Sequence, residues 1–210
     1  MIIRPLASWD EFGNLPSMTA KTIISVSNLT KKYGDFEAVK GISFDVYEGE
    51  IFGLLGPNGA GKSSTLEIME TLREKTSGIV IVNGLDLDKD PGEIKKIIGV
   101  QLQTSGYYPG LSLTELIELF GGLYNRPVRP LELLDMVNLR DKAKAKYKDL
   151  SGGQKQRFSI ATTLINNPKI IFLDEPTTGL DPQARRNLWD LVKDIRAKGT
   201  TVIITTHYMD

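Results

Sequence analysis

The chain has 210 residues, 40% of them hydrophobic and 25% charged, with 26 basic and 26 acidic side chains. That length and balance suit one globular domain with a sizeable core and exclude a disordered chain. The zero net charge removes any strong long-range pull toward nucleic acid or anionic lipid. Cysteine is absent and His207 is the single histidine, which excludes disulfides, thiolate chemistry and multi-histidine metal sites. No apolar run approaches the ~20 residues needed to span a bilayer, so any membrane crossing is expected of another chain.

Residues 1–20 lack the continuous apolar core of a secretory signal. Two readings stand for them: an expression-derived leader ahead of a natural start at Met18, or a natural N-terminal extension. Beyond them, Ile23–Val26 and Gly41–Val46 carry short-strand patterns, and Ile51–Leu55 is a wholly apolar run feeding a glycine-rich turn. Ser63–Leu72 has helical spacing, with Leu66, Met69 and Leu72 on one side. Ser77–Val82, closed by Asn83-Gly84, reads as a strand ending in a turn. Helical spacing returns in Thr114–Tyr124 and Leu131–Val137, and residues 105–150 hold no convincing strand. A helical lobe over about 104–150, inserted in an α/β core, is the expectation. Gly153–Leu164 then reads as a helix, Ile170–Leu173 as a buried strand, Pro182–Ala197 as a helix and Thr201–Thr205 as a strand. Such alternation predicts a mainly parallel sheet with helices on both faces.

Gly56-Pro57-Asn58-Gly59-Ala60-Gly61-Lys62-Ser63 matches the G-x-x-x-x-G-K-[ST] phosphate loop, placed between a strand and a helix as that motif requires. Glycines let the backbone curl so that successive N–H groups converge on phosphate oxygens. Lys62 adds a point charge for the β and γ phosphates, and Ser63 offers its hydroxyl to Mg²⁺. A plain glycine turn before an ordinary helix is the competing reading, and the flanking strand and helix disfavour it. Asp174 and Glu175 end the apolar run from Lys169. Carboxyl ends of parallel strands face the ligand crevice. There Asp174 can serve a metal and Glu175 can orient and deprotonate an attacking water. A solvated acidic turn is the alternative for this pair taken alone.

Leu150-Ser151-Gly152-Gly153-Gln154, followed by Lys155-Gln156-Arg157, resembles the signature of ABC ATPases, and the resemblance runs from Ile23 to His207. Ser151 can cap the following helix, and the two glycines let a phosphate approach its positive end. The resemblance implies a P-loop NTPase of ABC type. Its architecture would be a mainly parallel α/β core, an N-terminal antiparallel β portion and an inserted helical lobe, together forming one ATPase domain over 21–210. It further implies ATP and Mg²⁺ as cofactors. The implied nucleotide-binding set is Tyr33, stacking on adenine, with Val39, Gly56, Pro57, Asn58, Gly59, Ala60, Gly61, Lys62, Ser63 and Ser64, joined by Ser151, Gly152, Gly153, Gln154 and Asp181. Glu175, His207, Gln103 and Lys62 would be catalytic, and Ser63, Gln103 and Asp174 would hold the metal. Tyr33 taken alone reads as a half-buried surface tyrosine, and Gln101 lies two positions from Gln103. Thr178-Gly179-Leu180-Asp181 resembles the loop that reaches across to a partner subunit, while Asp181-Pro182 also suits a helix start; both roles stay open.

In this family the nucleotide sits between two domains arranged head to tail. The resemblance therefore implies a second ATPase subunit, identical or paralogous, and an integral membrane permease at the cytoplasmic face of the membrane, with no nucleic acid. The run from Glu50 to Lys62 looks most like bacterial or archaeal ABC-2-type exporter ATPases. The alternative is a non-transport ABC ATPase acting on ribosome or DNA. A lone P-loop phosphotransferase would have no use for the signature. Tyr107, Tyr108, Pro109 and Leu111 are expected either to form a docking patch for a membrane-subunit helix or to pack inside the lobe. The Asn125–Pro130 stretch is short for this family's lobe, and relatives continue beyond His207, so a truncated chain is expected.

Overall fold

The computed structural model describes residues 2–5, 21–101 and 106–206. The apolar runs near residues 170 and 202 are the centre of the molecule, because a strand buried on both faces needs no polar alternation. Strands β1 (Ile2–Pro5), β4 (Ile51–Leu55), β7 (Ile98–Gln101), β8 (Ile170–Asp174) and β9 (Thr201–Thr206) form a five-stranded sheet in the order β1-β4-β9-β8-β7. The four strands β4, β9, β8 and β7 run parallel, and β1 pairs antiparallel on the outer edge of β4. The parallel core expected from the sequence is therefore present, with an added edge strand from within residues 1–20.

A second, antiparallel sheet has the order β3-β2-β5-β6, made by β2 (Thr22–Tyr33), β3 (Phe36–Tyr47), β5 (Ser77–Val82) and β6 (Leu85–Asp86). Its β5–β6 turn is Asn83-Gly84 with φ of 50° and 80°, the left-handed pair that a two-residue hairpin requires. Strands β2 and β3 are each 12 residues long, far longer than their apolar patches. Register shifts near Val26, Leu29 and Lys31 interrupt the alternation that would have revealed their length.

Side-chain alternation along the central strands divides the core in two. Ile171, Leu173, Val202 and Ile204 face helices α5 (Gly152–Thr163) and α6 (Pro182–Ala197) and the lobe helices α3 (Leu113–Leu123) and α4 (Pro130–Met136). Ile170, Phe172 and Ile203 face α1 (Lys62–Met69), α2 (Pro91–Ile97) and the antiparallel sheet. Helices thus cover both faces. Between residues 106 and 150 the described chain holds helices, turns and one isolated bridge, Ser112–Lys146, in keeping with a helical lobe. Helix α1 ends at Met69 instead of continuing to Leu72, because Thr71 adopts φ 61°. Leu72 is consequently 55% exposed. The α2–β7 pair has no counterpart in the apolar spacing, since its helix and strand abut without a glycine or proline between them.

Candidate active site

Strand β4, buried throughout, delivers the chain to the phosphate loop at the carboxyl edge of the parallel sheet. Gly61 closes the loop at φ 86°; a β-carbon there would stand 2.4 Å from the Ala38 carbonyl oxygen and 3.2 Å from Val39 Cγ2. No other residue type satisfies both the angle and that contact. Val39, named above as a nucleotide-binding residue, lies buried beneath the loop and packs into the core on the α1 face. Pro57, Asn58 and Gly59 are exposed, and Gly56 and Ala60 are half-buried.

Lys62 is only 5% exposed, and its ammonium donates to the carbonyl oxygens of Gly56 at 2.8 Å and Pro57 at 3.1 Å. The side chain therefore curls across its own loop and holds the curve closed. Burial pushes the Lys62 pKa down, opposed by the carboxylates of Glu175 and Asp174. The register of β4, β9 and β8 brings Asp174, the last residue of β8, to the same carboxyl edge as the cradle, with Glu175 directly after it. Ser63 is exposed on the first turn of α1, and Ser64 shares a 3.2 Å hydrogen bond with the Tyr33 hydroxyl.

Tyr33 is 41% exposed at the end of β2, with Lys31 Nζ 5.1 Å and Arg73 Cζ 5.3 Å from its ring centroid. Arg73 is itself anchored by Glu67, Nε to Oε2 at 2.5 Å. Sequence reading missed Arg73. It reaches Tyr33 because the left-handed Thr71 turns the chain back over α1, and no local signal marks that reversal. Its cation over an aromatic face favours a fixed ring.

At the carboxyl end of β8, Asp174 and Glu175 are both half-buried. Glu175 holds φ 49°, a conformation that costs a non-glycine residue on the order of 1 kcal/mol. Its backbone N–H donates to Thr205 Oγ1 at 2.8 Å, and the Thr205 hydroxyl donates to Asp174 Oδ1. Thr178 closes the turn, its N–H donating to the Glu175 carbonyl at 3.1 Å and its hydroxyl reaching Glu175 Oε2 at 3.4 Å. Asp181 caps α6, accepting from the Ala184 N–H at 2.8 Å, so the helix-start reading of that residue holds.

The signature segment belongs to the other core, where Leu150 and Phe158 pack with the lobe. Ser151 Oγ accepts from the Gln154 N–H at 3.3 Å, and Gln154 Oε1 accepts from the Ser151 N–H at 2.9 Å, a complete capping box. Gly152 has open space where a β-carbon would be, and one on Gly153 would stand 3.1 Å from Ala184 Cβ. Arg157, three residues on, donates to the carbonyls of Val137 and Asn138 and so ties α5 to the end of α4. Gln103 and His207 lie outside the described residues. Gln101, its neighbour in sequence, is buried at the end of β7 beside Leu173. Of the aromatic stretch after it, Tyr107 and Leu111 pack against the lobe core, Tyr107 meeting Phe120, Tyr147 and Phe158, while Tyr108 is 64% exposed. The stretch thus divides between packing and surface.

Residues 39–178, well over half the chain, match the family model described as ABC transporter. The chain is 39% identical over 193 residues to the linearmycin resistance ATP-binding protein LnrL of Bacillus subtilis, covering 90% of this chain and 62% of that protein. It is 36% identical over 200 residues to the Nod factor export ATP-binding protein I of Ralstonia nicotianae, covering 93% and 62% respectively. It is 40% identical over 195 residues to the probable multidrug ABC transporter ATP-binding protein YbhF of Escherichia coli, covering 90% and 34%. The chain therefore spans about three fifths or less of these relatives' length. Among solved structures it resembles the ATP-binding cassette MJ1267 in its ADP conformation, with TM-score 0.80, 27% identity and coverage of 90% and 83%. A dimeric post-hydrolysis cassette, MJ0796 bound to ADP and Pi, gives TM-score 0.77 at 33% identity over 89% and 88% of the two chains. With these matches over a phosphate cradle, a carboxylate pair and a capped signature helix, the chain belongs to the ABC transporter family as an ATP-binding cassette.

Proposed function

We propose that this chain binds and hydrolyses ATP as the cytoplasmic-face motor of an exporter, in a head-to-tail pair with a second cassette and docked on a separate membrane subunit. The carrying observation is the convergence of the Gly56–Ser63 cradle, Asp174 and Glu175 at one carboxyl edge, where both acids act on the Lys62 ammonium. The cassette proper is residues 21–210, with the helical lobe at about 104–150. Export is favoured by the similarity to cassettes named for linearmycin resistance and Nod factor export. Among the described residues no helix is long and apolar enough to cross a membrane, which suits a cassette working with a permease.

On ATP binding, loop N–H groups and Lys62 take the phosphates, and Tyr33 stacks on the adenine. Magnesium fits the donors available, since the Ser63 hydroxyl and the Asp174 carboxylate are hard oxygen ligands. Among the described residues no group of three or more acids or histidines could hold a metal alone. Ser63 and Asp174, with Gln103, would hold the ion, which would supply charge neutralisation when bound. Glu175 then orients and deprotonates the attacking water, and His207 contacts the γ-phosphate. Ser151, Gly152, Gly153 and Gln154 complete the partner's site, so hydrolysis requires closure of the pair.

The test is Glu175→Gln loaded with ATP in solubilised native membranes. The expected result is a stable dimer on size exclusion, no phosphate release and co-purification of an integral membrane protein, with Lys62→Ala losing ATP binding altogether. Rapid turnover by Glu175→Gln would remove the base assignment. Recovery of ribosomal or DNA-repair proteins would overturn the transport reading.

A further inference from the structure

We infer that Thr205 is the positioning residue that sets the geometry of the carboxylate pair for hydrolysis. The inference rests on the reading of Asp174 and Glu175 given above. Thr205 lies on β9 between β4 and β8, directly opposite Leu54 on one side and Asp174 on the other, and it is fully buried. Strand alternation puts it on the same face as Ile203, toward α1 and the phosphate loop.

Its one hydroxyl makes two bonds to consecutive residues. The proton goes to Asp174 Oδ1, and the oxygen lone pair accepts the Glu175 N–H at 2.8 Å. A hydroxyl bond to a carboxylate is charge-assisted and shorter than a neutral one. The first bond therefore selects one orientation for the Asp174 carboxylate and leaves its other oxygen for a cation. The second bond holds a backbone that would otherwise relax. Glu175 is at φ 49°, a strained state that persists only where neighbouring structure over-determines it. With that N–H bound, the Glu175 side chain leaves the strand end in one direction. Valine at this position would fill the same volume and keep the strand, yet it can make neither bond.

Thr205→Val and Thr205→Ser, each measured beside Glu175→Gln, decide the matter. For Thr205→Val we expect kcat for ATP hydrolysis to fall about 10- to 100-fold. KM for ATP, and the affinity for a fluorescent ATP analogue measured in EDTA, should stay within about 2-fold, because the cradle is untouched. The Mg²⁺ concentration for half-maximal rate should rise as Asp174 loses its fixed orientation. Thr205→Ser restores the hydroxyl and should recover the rate to within about 3-fold. An unchanged kcat in Thr205→Val overturns the inference, as does a loss that Thr205→Ser fails to rescue. If Thr205→Val melts well below the parent, Thr205→Ser against Thr205→Ala replaces it, since both lack the methyl and differ only in the hydroxyl; equal rates in that pair overturn the inference. Turnover by Glu175→Gln would instead remove the base assignment, whatever the Thr205 variants do.

Discussion

Helix α1 starts at Gly61, in the left-handed region, with no side chain capping its N-terminus. Helix α5 starts at Ser151, whose hydroxyl and whose partner Gln154 satisfy two of its first N–H groups through a capping box. Both ends carry the positive half of a helix dipole and both are assigned to phosphate in the proposal above. The first is open and held in shape by glycine and by the Lys62 ammonium across the loop. The second has its Ser151 and Gln154 N–H groups bonded within the capping box, which does not involve the N–H groups of Gly152 and Gly153. On that proposal, phosphate at α1 meets a loop shaped by glycine, while phosphate at α5 meets glycine N–H groups beside a serine already engaged in its own cap.

The sharpest way to break the comparison is to put a methyl on each end. Gly61→Ala meets the Ala38 carbonyl and a forbidden angle together, so ATP affinity of the monomer should fall at least ~100-fold, since lost loop geometry removes several convergent N–H bonds. Gly152→Ala meets open space, so isothermal titration should give unchanged ATP affinity and melting should give an unchanged midpoint, while hydrolysis is lost. Equal loss of monomer affinity in both variants would erase the distinction between the two ends.

The far end of α1 offers a pH test. Glu70, its C-cap, is buried, and burial first, then the fields of Asp174 and Glu67, push its carboxyl up to about 8. An acid whose pKa is raised on folding binds more protons folded than unfolded between its unfolded value and about 8, so stability falls as pH rises through that window. The stability advantage of Glu70→Gln over the nucleotide-free parent should grow by about 2 to 3 kcal/mol between pH 6 and pH 9. Denaturant midpoints at the two pH values check this, and parallel losses in both proteins would refute it.

Both helix ends are legible in the sequence, because each is a contiguous motif whose residue types dictate the local backbone. The carboxylates of β8 were legible for the same reason, lying at the end of an apolar run. What surrounds them was not. Thr205 and Arg73 act through residues about 30 and 40 positions away, and nothing in their own neighbourhoods distinguishes them from a strand threonine and a surface arginine. Strand β7 owes its place to pairing with β8, and four residues following a helix without a break carry no period of their own. The early end of α1 follows from a β-branched residue, Thr71, in a conformation that propensity disfavours. Asp181 shows the opposite case: the helix-start grammar predicted its cap, and the same signal left its role toward a partner open.

The smallest effect concerns the cap itself. Ser151→Ala deletes the hydroxyl that accepts from the Gln154 N–H at the start of α5. Loss of an N-cap to alanine costs about 1 kcal/mol, which at this chain length lowers the melting midpoint by about 2 to 4 °C. Ser151→Gly should recover most of that, because glycine is tolerated at an N-cap with a loss of only a few tenths of a kcal/mol. The two variants therefore separate stability from function. If the hydroxyl serves the partner's phosphate, both should hydrolyse ATP poorly although only the alanine variant melts early. If the hydroxyl serves only the helix, activity should track the melting midpoint, and the glycine variant should work nearly as well as the parent. The first pattern makes the end of α5 a phosphate site that shares its serine with the cap; the second makes it only a helix start.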